Sequence, residues 1–389
     1  MKKLISLYLL LPILTFSCSQ KEESLPEKPL SEQQFEFEIY DSLVVDYLGN
    51  LYLADISPDG ETFMLYNDQN DSIFLVNSEG EIRSKFMRKG EGPGDYRVSR
   101  YNPPQFLTNA EIIIPAWMGF YCYSFSGDLT RKFEMGYNPS HSLLDLYTNK
   151  MVITKDQIIY PWEGRNGDSL GVQGKAFQLQ TKRLEVLDLE SGKFTPTTPF
   201  PDQSKFKTDQ TAYFNFNYTT RLAGLGDSIY VAYRNEPKIF TYHLENLNQP
   251  SSVLEIPFEE FVEKSPRDGN DLSSYDMRDV YSGSINALIP SGENRFLINF
   301  TRGTTDEEYN QIFSKTGQIN QEFYKEIRKI SVYGWILFDG KTISPLIARR
   351  PEIGSLGKLI SENEIWFTPN YSEVEKDYIV LYKTRLVSK

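Results

Sequence analysis

A hairpin that recurs along the chain constrains its fold more than any other feature. Asn77-Ser78-Glu79-Gly80-Glu81-Ile82-Arg83-Ser84-Lys85-Phe86 and Ser124-Phe125-Ser126-Gly127-Asp128-Leu129-Thr130-Arg131-Lys132-Phe133 carry Gly, an acid, an apolar residue, Lys and Phe at matching positions. Asp188-Leu189-Glu190-Ser191-Gly192-Lys193-Phe194 is a looser copy. Each reads as a strand, a tight turn on Gly and a returning strand. A unit repeated at a steady interval cannot bury its apolar face alone, so it must stack on its neighbours.

Two more strands lie upstream of each hairpin. Leu51–Ile56 and Thr62–Tyr66 flank the turn Ser57-Pro58-Asp59-Gly60. Gln105–Leu107 pairs in the same way with Glu111–Pro115, and Met151–Thr154 with Gln157–Tyr160. Later units follow near 221–225, 228–234, 237–244 and 251–258, then near 284–289, 294–301, 331–338 and 342–347. The last unit has only Leu356–Ile360, Glu364–Thr368 and Asp377–Leu386, and the alternating segment Phe35–Tyr40 is available as its fourth strand. Six four-stranded units closed in this way remove the open sheet edge. The expectation is an all-β fold, a six-bladed β-propeller closed by an N-terminal strand. A pair of sandwich domains is the rival arrangement. An aromatic content of 14%, with 25 Tyr and 25 Phe, suits strands. Segments 258–282 and 304–328 are charged with partial helical spacing and read as short helical insertions beside blades four and five. Segment 163–180 is Gly-rich and reads as a loop.

The chain resembles the TolB-like and NHL-like six-bladed propeller lipoproteins of Bacteroidetes. The resemblance rests on Phe86-Met87-Arg88-Lys89-Gly90-Glu91-Gly92-Pro93-Gly94-Asp95-Tyr96, on the blade hairpins and on the Ser17-Cys18 start. It implies fold and location, and leaves the activity open.

The N-terminus fits that location. Lys2 and Lys3 precede an apolar run from Leu4 to Phe16. That run falls short of the roughly 20 apolar residues a spanning helix needs, so 1–17 reads as an export signal. Ser17-Cys18 resembles a lipobox, although Thr15 stands where Leu is usual. Cys18 is thus expected to carry the lipid, which would be the only membrane attachment. Residues 18–34 are the lipidated Cys and a polar, proline-bearing tether; 35–389 form the propeller. Lys21-Glu22-Glu23 resembles a Bacteroidetes surface-export signal. Outer-membrane anchoring facing outward is expected, with a periplasmic orientation as the alternative.

A formal net charge of −12 argues against nucleic-acid partners. Cys122 is the only cysteine after Cys18, and its strand-like setting reads as a buried thiol. Gly90-Glu91-Gly92-Pro93-Gly94 invites a phosphate-loop reading, but Pro93 lacks an N–H and no helix follows, so a blade-linking turn is expected. Gly340-Lys341-Thr342 lacks the upstream Gly of a Walker loop, because Trp335 stands there. Asp68-Gln69-Asn70-Asp71-Ser72 starts like a calcium loop but has Ile73 where Gly is required. His141 and His243 are isolated. No catalytic, cofactor or metal site is expected from these motifs.

Loops on one propeller face gather residues suited to recognition: Arg88, Lys89, Trp117, Trp162, Glu163, Arg165, Arg234, Glu236, Arg302 and Tyr371. Aromatic faces and bidentate Arg favour a protein or glycan partner. The same aromatics could instead pack between blades. The expected function is a non-catalytic binding module. The alternative is a propeller lyase or hydrolase with a polar site on the axis. Asp-Ser-apolar triplets place Ser42, Ser72, Ser169 and Ser228 in a pattern that resembles Bacteroidetes O-glycosylation acceptors.

Overall fold

A computed structural model describes residues 29–97, 100, 102–137, 150–162, 164–165, 170, 174–266, 276–374 and 376–389. Its strands form six separate antiparallel sheets. Blade one contains Tyr52–Ile56, Thr62–Tyr66, Ile73–Asn77 and Ile82–Phe86. Blades two, three and four begin with the inner strands Gln105–Phe106, Val152–Ile153 and Thr220–Leu225. Blade five begins with Ser284–Gly292 and blade six with Ile353–Ser361.

Period-two patterning explains the ring. In Thr62–Tyr66, Phe63 and Leu65 pack with Trp366 and Leu381 of blade six, whereas Met64 and Tyr66 pack with Ile112 and Tyr121 of blade two. Each strand thus supplies both of its neighbours, which is why these strands are apolar at consecutive positions. Further apolar clusters join blades two and three, three and four, four and five, and five and six. Each fully buried large side chain in them contributes roughly 1.5–3 kcal/mol.

The closure is as expected, and longer. Phe35–Val45 pairs antiparallel with Ile379–Ser388 as the outer strand of blade six. Its register shifts between Ile39 and Asp41, leaving Tyr40 as a bulge. One extra residue exchanges the two faces of a strand. Phe35 and Phe37 therefore pack toward blade five, while Leu43 and Val45 pack toward blade one.

Two expectations are corrected. Blade five has three strands, Ser284–Gly292, Arg295–Thr301 and Tyr333–Phe338, because 342–347 makes only an isolated bridge, Phe338 to Ile343. Leu337 N donates to the Ser344 hydroxyl instead of a backbone carbonyl, and Pro345 has no N–H to extend the ladder. The Gly-rich stretch 163–180 ends in a helix, Lys175–Gln180. The later insertion is helical as read: Asp306–Thr316 opens with a Thr305–Glu308 capping box, and Gln321–Ile330 is capped by Asn320. The two helices pack through Tyr309, Ile312, Phe323 and Ile327. In the earlier insertion the described residues contain only the short helix Met277–Val280.

Candidate functional site: the axial cavity

Most of the expected loop-face residues are engaged by neighbouring parts of the chain. Trp162 is 8% exposed and meets Tyr160 and Tyr137 edge-on at 5.8 and 6.0 Å, so it belongs to the core between blades two and three. The exposed-loop reading of Trp162 is thereby corrected: an indole next to a strand end is covered by the neighbouring blade. Arg165 forms a bidentate pair with buried Glu185 at 2.8 and 2.9 Å and stacks over Tyr137 at 4.1 Å. Burial raises the Glu185 carboxyl above its usual range, against the opposing pull of Arg165.

The others are engaged similarly. Arg234 is buried over the Phe216 ring at 3.9 Å and donates to Val280 O. Glu236 is buried, accepts from Ser204 Oγ at 2.7 Å and Lys205 N at 2.9 Å, and so holds the start of helix Lys205–Thr208. Arg302 pairs with Glu260 and Glu308. Tyr371 exchanges hydrogen bonds with the Leu51 backbone, tying blade six to blade one. Arg88 donates to Gly127 O at 2.6 Å, and Lys89 pairs with Asp71 at 3.0 Å. Trp117 is half-buried at the turn into Gly119–Ser124. Glu163, Ser169, His141 and Cys18 lie outside the described residues.

The sequence motifs resolve as turns. Gly90 N donates to Tyr96 O, Tyr96 N to Arg88 O and Gly92 N to the Asp95 carboxylate, so this loop satisfies its own N–H groups. Asp339 accepts from Lys341 N and Thr342 N in a hairpin turn. Asn67 and Asn70 organise the segment that begins like a calcium loop. Burial pushes the Cys122 thiol up to about 12, so it remains protonated.

What remains is the centre of the ring. All six inner strands line a cavity of about 1220 Å³ on the axis. These strands approach one another without pairing. A Cβ on Gly357 would meet Leu53 at 2.6 Å, and one on Gly224 would meet Val152 at 2.7 Å. Unpaired strand edges need polar partners, and side chains provide them from blade to blade. Asp55 of blade one accepts from Phe106 N of blade two at 3.0 Å and from Lys358 Nζ of blade six at 2.6 Å. Gln105 exchanges both amide bonds with Met151 of blade three. Arg221 donates to Ile285 O of blade five.

Lys150, just ahead of the blade-three inner strand, crosses the axis and donates to Gly357 O in the opposite blade. Burial, then the neighbouring Lys358 ammonium, lowers its pKa to about 8, with Asp55 opposing. An ammonium has three N–H donors, and Lys150 and Lys358 each make one hydrogen bond among the described residues, which leaves donors facing the cavity. Among the described residues the cavity wall carries Lys150, Lys155, Arg221, Arg349 and Lys358 against Asp55 and Asp68. Basic side chains thus outnumber acidic ones on the axis of a chain whose net charge is −12. Sequence reasoning missed this cluster. Its signal was a charge inside otherwise apolar inner strands, Asp55 in Leu51–Ile56 and Lys358 in Leu356–Ile360.

Comparison with known proteins places the fold. No family model matches the chain, and neither does any curated protein. Among solved structures, a member of the DUF4221 family from Bacteroides vulgatus superposes with a TM-score of 0.59 at 11% identity, over 92% of this chain and 99% of that one. A protein from Bacteroides fragilis described as exported gives a TM-score of 0.53 at 12% identity, over 92% and 96%. At such identities the shared property is the propeller fold across nearly the whole length.

Proposed function

We propose that this chain is an exported, lipid-anchored envelope protein that binds a small anionic ligand in its axial cavity. One observation carries the reading: the sign of charge on the axis is opposite to that of the protein as a whole. Basic side chains on low-dielectric walls concentrate anions. The loop-face aromatics and arginines support a protein or glycan partner less well, since blade contacts engage them. The likeness to a Bacteroides protein described as exported supports the location. No helix among the described residues is long and apolar enough to cross a membrane; the attachment we propose is a lipid on Cys18. Among the Asp-Ser-apolar serines, Ser42 is exposed, Ser228 half-buried and Ser72 buried. Ser42 is therefore the acceptor we favour for O-glycosylation of the folded protein.

A second reading, a propeller lyase or hydrolase, draws on the same centre. An axial Lys150 held to about 8 by its surroundings is suited to general-base chemistry. Calorimetric titration of the purified protein with sodium acetate at constant ionic strength tests the binding reading. Acetate should bind, and Lys150→Met, which leaves the Asp55–Lys358 pair in place, should weaken it about tenfold, the value of one charge-assisted hydrogen bond. Heat no greater than that of a matched chloride titration would overturn the reading.

A further inference from the structure

The axial cavity is graded along its length. Arg221, Asn286 and Ser355 stand early in the inner strands of blades four, five and six. Asp55 and Lys358 are set further along, and Lys150 reaches to them. The late positions are apolar: Leu225 ends its strand, and Ile289, Pro290 and Ile360 lie near the ends of theirs. Ser57, Thr154 and Lys155 are polar exceptions at that mouth. Two of the apolar residues are bare, Leu225 at 44% and Ile360 at 51% exposure. Single exposed apolar residues are ordinary, but apolar side chains converging on one cavity mouth, beyond a charged centre, match the lining of a ligand site.

The charges specify the head group. At the centre, Asp55, Lys150 and Lys358 together carry one net positive charge, which a monoanion neutralises and a dianion overshoots; Arg221 is turned to Ile285 O, and Lys155 and Arg349 are exposed to solvent. Asp55 already uses one ammonium bond, so the incoming group must accept hydrogen bonds from the remaining N–H donors, as a carboxylate does. From Lys358 to Ser361 the strand advances three residues, about 10 Å. A short hydrocarbon chain spans that distance and reaches the apolar mouth.

We infer that the ligand is an amphipathic monoanion, a carboxylate head held between Lys150 and Lys358 with an aliphatic tail lying toward Leu225 and Ile360. The inference rests on the anion-binding reading above and adds the tail. Below its micellar concentration, octanoate should bind the full-length protein at least about tenfold more tightly than acetate, because each buried methylene adds affinity. Octanol, which has the tail without the charge, should bind weakly. The double variant Leu225→Ser, Ile360→Ser changes exposed residues whose loss leaves no core cavity, and it should collapse the octanoate-to-acetate ratio toward one. Equal binding of acetate and octanoate would overturn the tail and leave the anion site standing. Binding of neither would overturn both readings. Octanol matching octanoate would overturn the head group, and an octanoate advantage that survives in the double variant would overturn the assigned mouth.

Discussion

Deleting Tyr40 together with Asp41 tests how the ring closes. Tyr40 is the bulged residue of Phe35–Val45, and it lets one strand serve two cores. Phe35 and Phe37 are 6% and 1% exposed toward blade five; Leu43 and Val45 are 6% and 0% exposed toward blade one. Removing Tyr40 alone leaves Ile39 on Thr384 and Asp41 on Lys383 as consecutive pairs, a regular ladder with both side-chain pairs inward. Removing Asp41 as well slides one half of the strand by a residue, so a continuous ladder keeps only one of these pairs inward. The smaller loss is Leu43 with Val45, at roughly 1.5–3 kcal/mol each, or about 3–6 kcal/mol together. That is a large part of a typical domain's stability of about 5–15 kcal/mol. The control is deletion of Tyr40 alone, which keeps the pairing on both sides of the bulge. It removes an exposed ring, one hydrogen bond from the Tyr40 hydroxyl to Asn363 O at 3.1 Å, and contacts with Lys383 and Arg385. Those together are worth about 1 kcal/mol. Urea unfolding followed by fluorescence gives both values. Coincident midpoints for the double and the single deletion would refute the register that holds both pairs inward.

Other outcomes follow from the same contacts. Trp162→Ala should cost about 3–5 kcal/mol in urea unfolding, as expected for emptying a core site and unlike a loop truncation. Acetate affinity should fall several-fold between pH 7 and pH 9, as the Lys150 ammonium is lost on passing about 8, and should stay flat in Lys150→Met. For stability the sign is reversed: the unfolded chain keeps that proton up to about 10.4, so between about 8 and 10.4 it binds more protons and stability rises with pH, measurable by urea midpoints across that window. Cys18→Ala should move the protein from the membrane to the soluble fraction on fractionation, with its unfolding midpoint unchanged. Ser42→Ala should remove a glycan mass from the native-host protein in intact-mass spectra, whereas Ser72→Ala should not.

The all-β propeller with its closing N-terminal strand was legible in sequence, because both follow from local periodicity. Alternating and continuous apolar runs, Gly turns such as Gly80 and Gly127, and a last unit lacking one strand are written in consecutive residues. The capped helices at 306–330 were legible for the same reason. The failure of 342–347 as a strand was less so, since it depended on Ser344 supplying a hydroxyl where a carbonyl was expected. Tertiary structure alone decided the rest. Whether Trp162 and Arg165 face solvent or the next blade depends on Tyr137 and Glu185, residues distant from them along the chain. Asp55, Lys150 and Lys358 come from blades one, three and six, and no local pattern brings them together. Their meeting follows from closure: six inner strands that cannot pair with one another leave a cavity, and the few charges on those strands must face it or one another.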